Sequence, residues 1–170
     1  MAAKIVNPAF PDVDHDLRFL LAHYPAAYNV DRTDGANPIR QPLENLSEAG
    51  TLYGPIIYQK APIVVRHLER LIGEEELRAG LQLYLREYAY GNADWDDLIG
   101  ILNSLTEENL AEWSQVWVGE SGRPEIVVAL ETDGGVITRL ELRQSDETIG
   151  GGRTWNQRLE VLLGYRDGTR

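Results

Sequence analysis

The feature that most constrains this chain is a change of hydrophobic period at Pro124. Upstream of it apolar residues recur at helical spacing, and downstream they fall at every second position; one regular element cannot satisfy both patterns. The sequence therefore predicts an α+β fold, with a helical subdomain over residues 1–120 and, over residues 124–170, antiparallel β strands that open a β-sandwich.

Within the helical part, Asp14 is placed to cap a first helix whose apolar residues are Leu17, Leu20 and Leu21, and Pro25 is expected to end it after Tyr24. Between Pro25 and Gly50 the chain carries Pro38, Pro42, Gly35 and several Asn and Asp with no sustained period, which predicts an ordered loop. Helical signals resume at Thr51. Val64, Leu68, Leu71 and Ile72 form one stripe and Gly73 supplies a stop. Glu74, Glu75 and Glu76 favour a new N-terminus, followed at helical spacing by Leu77, Leu81, Tyr84, Leu85 and Tyr88, until Tyr90-Gly91-Asn92 breaks the pattern. Asn92 or Asp94 is expected to cap the next helix, apolar at Trp95, Leu98, Ile99 and Leu102. Thr106 is expected to begin a last one with Leu110, Trp113 and Trp117 inward.

Past Pro124, Ile126, Val128 and Leu130 alternate with Val127, Ala129 and Glu131. Asp133-Gly134 reads as a hairpin turn, and Val136, Thr138, Leu140 and Leu142 alternate on the return. After the glycines at 150, 151 and 152, the alternation of Leu159, Val161, Leu163 and Tyr165 predicts a third strand.

Composition excludes several functions. With 27 Asp and Glu against 16 Lys and Arg, a net charge of -11 repels phosphate backbones, so no nucleic acid partner is expected. The absence of cysteine excludes disulfides, thiolate nucleophiles and thiolate metal sites while leaving the compartment open. The first ten residues match neither a signal peptide nor an anchor, and no membrane segment is expected. His15, His23 and His67 lack the His-Glu-x-x-His spacing that sets two imidazoles on one helix face, so no zinc site is encoded by them. Glu74 to Glu76 and Asp94, Asp96 and Asp97 sit where helix N-termini attract carboxylates, and read as solvated caps. The triple glycine has neither the flanking elements nor the lysine of a phosphate loop.

One stretch is more specific. Tyr53-Gly-Pro-Ile-Ile-Tyr58-Gln-Lys-Ala leads into Leu68, Glu69, Arg70, Leu71, Ile72 and Gly73, then Gly80, Leu81, Tyr84, Leu85 and Tyr90-Gly91-Asn92. This resembles the aminopeptidase N family of zinc metallopeptidases, in which a Tyr-Glu-Lys-Gly motif opens a helix, a Leu-Gly-Glu segment follows, and Tyr-Gly-Asn precedes the next helix. Asn37-Pro38-Ile39 is similar to that family's His-Pro-Ile, and Trp113 to Trp117 to its closing Phe/Trp-x-x-x-Trp helix. The likeness extends from about Asp31 to Pro124 in one order and one set of spacings.

The resemblance implies a fragment of a zinc aminopeptidase: the C-terminal helical part of a thermolysin-like catalytic domain and the first strands of the β domain after it. Members hold zinc through a His-Glu-x-x-His helix and a glutamate on the following helix, all N-terminal to the region present here, and remove N-terminal residues from peptides. The segment is thus expected to bind no zinc and to be inactive alone, with the zinc-bearing part of the same polypeptide as its partner and peptides as substrates of the intact enzyme. The motif tyrosine, which donates its hydroxyl to the tetrahedral intermediate, maps onto Tyr58. A neutral phenol suits that role, worth roughly 3 kcal/mol for one donor. Tyr53 maps near substrate. Gln59 and Ala61 depart from the usual Glu and Gly, and Pro62 is expected to break a helix continuing through it. The competing reading is a non-catalytic helical interaction or scaffold module related to the family.

Overall fold

The structure, a computed structural model, describes residues 5–43, 45, 47, 50, 54–146, 152–165, 168 and 169. Among them five α-helices precede an antiparallel hairpin, the α+β order that the change of period predicts. They divide into two compact units, residues 1–65 with 112–155, and residues 66–111 with 156–170.

In the first unit, helix α1 (His15–Asp31) opens at Asp14, whose Oδ1 accepts the Leu17 N–H at 2.9 Å. It does not end at Pro25, which lies inside it. A proline there withholds an N–H from the Leu21 carbonyl and crowds it. Leu21, however, is exposed, so solvent reaches that turn, while Ala27 and Asp31 beyond it are buried one turn apart on a single face. Packing of that face keeps the second half helical, and irregular chain begins at Arg32 instead of Pro25.

A π-helical turn (Ile56–Lys60) packs against α1 and runs without interruption into α2 (Ala61–Ile72). Pro62 therefore breaks nothing, contrary to the expectation from its type. The Ala61 N–H reaches the Ile56 carbonyl, five residues back. Pro62 stands where this wide turn gives way to ordinary α pitch, a place where the ladder can spare an N–H. Helix α5 (Leu110–Trp117) buries Leu110, Trp113 and Trp117 as predicted. Trp117 lies 6.3 Å from Trp113 and 6.4 Å, edge on, from Trp155. Each fully buried side chain of this size stabilises by about 2 kcal/mol or more over an exposed one.

Strands β1 (Glu125–Asp133) and β2 (Val136–Ser145) form the predicted hairpin. Its loop is Gly134-Gly135, one residue later than Asp133-Gly134, with φ of +55° and +84°. Positive φ at both centres gives the turn whose twist matches the strands, which two glycines adopt without strain. Between the Glu131–Arg139 and Thr132–Ile137 pairs the register slips, leaving Thr138 as a bulge. Ile126, Val128, Leu130, Leu140 and Leu142 share one face of the hairpin; Arg139 spans from Glu131 to Glu141 on the other.

In the second unit, Gly73 turns the chain sharply from α2 into α3 (Glu74–Glu87) with φ +101° and ψ +154°, a region essentially reserved for glycine. Helix α3 packs on α4 (Trp95–Asn103). A Cβ at Gly80 would come within 2.3 Å of Leu102 Cδ2, so the missing side chain sets how closely the two approach. Asp94 caps α4 in a reciprocal box with Asp97: its carboxylate accepts the N–H groups of Asp96 and Asp97, and its own N–H donates to Asp97 Oδ2 at 2.8 Å. Helix α5 starts at Leu110, not Thr106: the Thr106 hydroxyl accepts the Glu108 N–H at 3.3 Å in a local turn, and Asn103 Oδ1 accepts the Leu110 N–H at 2.8 Å. The third strand across Leu159, Val161 and Leu163 does not form. These residues take no regular structure and have no ladder partners among the described residues, where only Gly164–Tyr165 (β3) pairs, with Gly168–Thr169 (β4). Alternation marks a strand only where a partner supplies the ladder.

His67 on α2 illustrates how burial conditions this unit. Its imidazole is pushed down from 6.5 to about 4, chiefly by burial and then by Arg70 and Arg66. The unfolded chain therefore binds more protons between these values. Stability tied to His67 is full above pH 6.5 and is lost as the pH falls toward 4. His67→Gln should flatten that part of the pH dependence of the unfolding free energy, measured by urea denaturation; an unchanged slope would show the imidazole to be accessible to protons in the folded state.

Candidate functional site

Tyr58 stands in the middle of the π turn. The Ile57 and Tyr58 N–H groups both donate to the Gly54 carbonyl, at 3.1 and 3.0 Å, and the turn then widens to the five-residue spacing. Such turns are rare, and recur at functional sites because they redirect side chains within a helix. Here the turn sorts its residues by side. Ile56 and Lys60 are buried, with 6% and 4% exposure, whereas Tyr58 between them is 55% exposed.

The burial of Lys60 has a specific cause. Its Nζ donates to Asp31 Oδ1 at 2.8 Å and to the Gly122 carbonyl at 2.8 Å, and the Gly122 N–H donates to the same Asp31 oxygen at 3.1 Å. Asp31 is the last residue of α1, where the helix dipole disfavours an anion, so the ammonium offsets two costs at once: the dipole and the loss of water. Burial pulls the Lys60 amine below its ordinary 10.5, and the Asp31 carboxylate pulls it back. Asp31 Oδ2 is buried with no hydrogen-bond partner among the described residues.

The loop that contributes Gly122 is itself held on both sides. Arg153 reaches Glu120 at 2.8 Å, the Ser121 carbonyl at 3.0 Å and Asp146 at 2.7 Å, and its guanidinium lies 4.7 Å from the centre of the Trp155 ring. Gln144 clasps the main chain of Trp155 through both its N–H and its carbonyl. On the α1 side the Arg123 guanidinium sits 4.8 Å over the Tyr28 ring. Burial, and then the neighbouring Tyr24, push the Tyr28 phenol up to about 12.

The other sequence-predicted residues do not join this turn. Tyr53 lies outside the described residues, as do the glycines at 150 and 151. His15 bonds the Phe10 carbonyl through Nε2 and His23 stacks near Phe19. Glu74, Glu75 and Glu76 are exposed on the first turn of α3, and Asp94, Asp96 and Asp97 form the α4 cap, as the sequence indicates. The Asp31–Lys60 pair was missed. Asp31 falls in a stretch predicted as loop, and Lys60 carries no motif of its own beyond Tyr58-Gln-Lys. The available signal was a single cation among Ile56, Ile57, Ile63 and Val64.

The model of the peptidase family M1 domain matches residues 1–117. The chain belongs to the M1 peptidase family. Aminopeptidase N of Streptomyces lividans is 33% identical over 131 residues, covering 74% of this chain and 15% of that protein. Aminopeptidase N of Lactobacillus delbrueckii subsp. lactis is 32% identical over 139 residues, 81% of this chain and 16% of that protein. Aminopeptidase M1-C of Oryza sativa subsp. japonica is 29% identical over 126 residues, 74% of this chain and 14% of that protein. This M1 segment thus spans about 15% of the length of the curated relatives it matches.

The family is generally zinc-dependent; among the described residues no three His, Cys, Asp or Glu side chains gather as a metal site. Nor is any described helix long and apolar enough to cross a membrane. The chemistry that the M1 turn itself offers is a phenolic O–H, able to donate one hydrogen bond from a fixed helix start.

The buried pair makes a prediction about folding. Lys60→Met strands the Asp31 charge and should cost about 3–5 kcal/mol, whereas the paired change Asp31→Leu with Lys60→Met should recover most of that loss. Chemical denaturation of the three proteins decides it: if the single change costs no more than the pair, the ammonium is not what supports Asp31.

Proposed function

We propose that this chain is part of a zinc aminopeptidase that removes N-terminal residues from peptides. In this reading residues 1–120 are the C-terminal helical part of the catalytic domain and residues 124–170 the first strands of a following β-sandwich. The zinc-bearing part of the same polypeptide is its partner, and the segment alone neither holds zinc nor hydrolyses peptides. The family membership and the small share of each relative that is covered support this assignment.

Tyr58 is the residue to which we assign catalysis. The observation that carries the assignment is its 55% exposure on a turn whose flanking residues, Ile56 and Lys60, are buried. An aromatic that served packing alone would be expected on the inward side. In the proposed step the phenolic O–H donates to the oxygen of the scissile carbonyl as negative charge develops there. The bond strengthens as the carbonyl carbon becomes tetrahedral, so it lowers the barrier more than it tightens substrate binding. Tyr53, five residues earlier, is assigned to the neighbourhood of the substrate.

The test is Tyr58→Phe in the intact aminopeptidase. Loss of one oxyanion donor should lower kcat by roughly 10²-fold, with KM within about twofold and the thermal unfolding midpoint unchanged. Unaltered kcat would return Tyr58 to the role of a surface aromatic. An intact protein that holds zinc but turns over no peptide would favour the scaffold reading instead.

A further inference from the structure

We propose that Lys60 and Asp31 are positioning residues for Tyr58: the buried pair, closed on the Gly122 main chain, fixes the rotation of the π turn and so the direction in which the phenol is presented. The inference rests on the catalytic reading of Tyr58, and goes beyond it in assigning a task to a buried charge pair.

Three observations carry it. Lys60 and Tyr58 are two residues apart on one helical turn, so their side chains leave it on opposite sides and any rotation that moves one moves the other. The three hydrogen bonds among Lys60, Asp31 and Gly122 form a closed set, which fixes the ammonium in direction as well as in distance. An apolar side chain at position 60 would fill space without selecting an angle, because dispersion contacts are non-directional, whereas donor and acceptor geometry is not. The anchors also lie in segments distant in sequence, at the C-terminal end of α1 and in the loop before β1, so the turn is referenced to two separate supports. A π turn has particular need of such support, since its wide ladder leaves it without the regular pitch that fixes an α-helix.

The proposal separates positioning from stability through a double-mutant cycle in the intact aminopeptidase. Because Lys60→Met alone strands a buried carboxylate and could prevent folding, the working variant is Asp31→Leu with Lys60→Met, which removes both charges together. It is measured with and without Tyr58→Phe. With Tyr58 present, the paired variant should fold, keep KM within about twofold and lose kcat by about 10²-fold, the scale of an ångström-sized misplacement. In the presence of Tyr58→Phe the same pair should lower kcat by less than about twofold, because there is no longer a phenol to misplace. An equal loss on both backgrounds would mean that the pair acts through general destabilisation and overturns the proposal, as would full kcat in the paired variant. The reading of Tyr58 fails separately: it falls when Tyr58→Phe alone leaves kcat intact, whereas a large effect of Tyr58→Phe combined with no effect of the pair removes only the positioning role.

Discussion

The buried contact of Lys60 with Asp31 and Gly122 is the constraint on which the first unit depends. It joins three pieces of chain through directional bonds: the end of α1, the π turn and the loop before β1. Residues 31 and 122 are far apart in sequence, so fixing them together carries a large entropic cost that apolar contact alone would repay without choosing a geometry. A charged pair in a dry site is a poor source of net stability and a good source of uniqueness, since few arrangements satisfy both partners. The surrounding loop follows the same logic, with Glu120 and Ser121 held by Arg153 immediately before the glycine that receives Lys60.

Much of this fold was legible because helix and strand periods are properties of side-chain spacing. Val64, Leu68 and Ile72, or Leu110, Trp113 and Trp117, announce a buried face wherever they occur, and the switch to alternation after Pro124 places the hairpin within a residue of its turn. The errors share a cause. Pro25 and Pro62 were read by intrinsic preference, yet one is carried by the burial of Ala27 and Asp31 and the other by a change of helical pitch. The first is a tertiary effect and the second a local change of backbone pitch, and neither is visible in residue preference. Leu159, Val161 and Leu163 show the converse: the local pattern is present, and no ladder partner stands among the described residues.

The candidate site was legible in one half only. Tyr58 could be singled out because it lies in the motif itself, and the spacing to Gly73 and Tyr90-Gly91-Asn92 supplies the context. Its support could not be read in the same way. A carboxylate at the end of a helix and a lysine in an apolar run look like a solvated terminus and a surface charge until the fold brings them to 2.8 Å. Pairing between residues 29 positions apart leaves no trace in periodicity.

The division of the π turn into an inward lysine and an outward tyrosine also bears on the substitutions at Gln59 and Ala61, which depart from the family's Glu and Gly. Lys60, not its neighbours, makes the buried contacts, and Ile56 packs on the same side. Exchange of the flanking types therefore leaves the three hydrogen bonds of the anchor in place. Ala61 adds helix preference where glycine would weaken it, and Pro62 supplies a fixed φ at the step back to α pitch. The turn thus keeps the two features that its geometry requires, a buried cation and an exposed phenol, while the residues between and after them vary within what a helical backbone accepts.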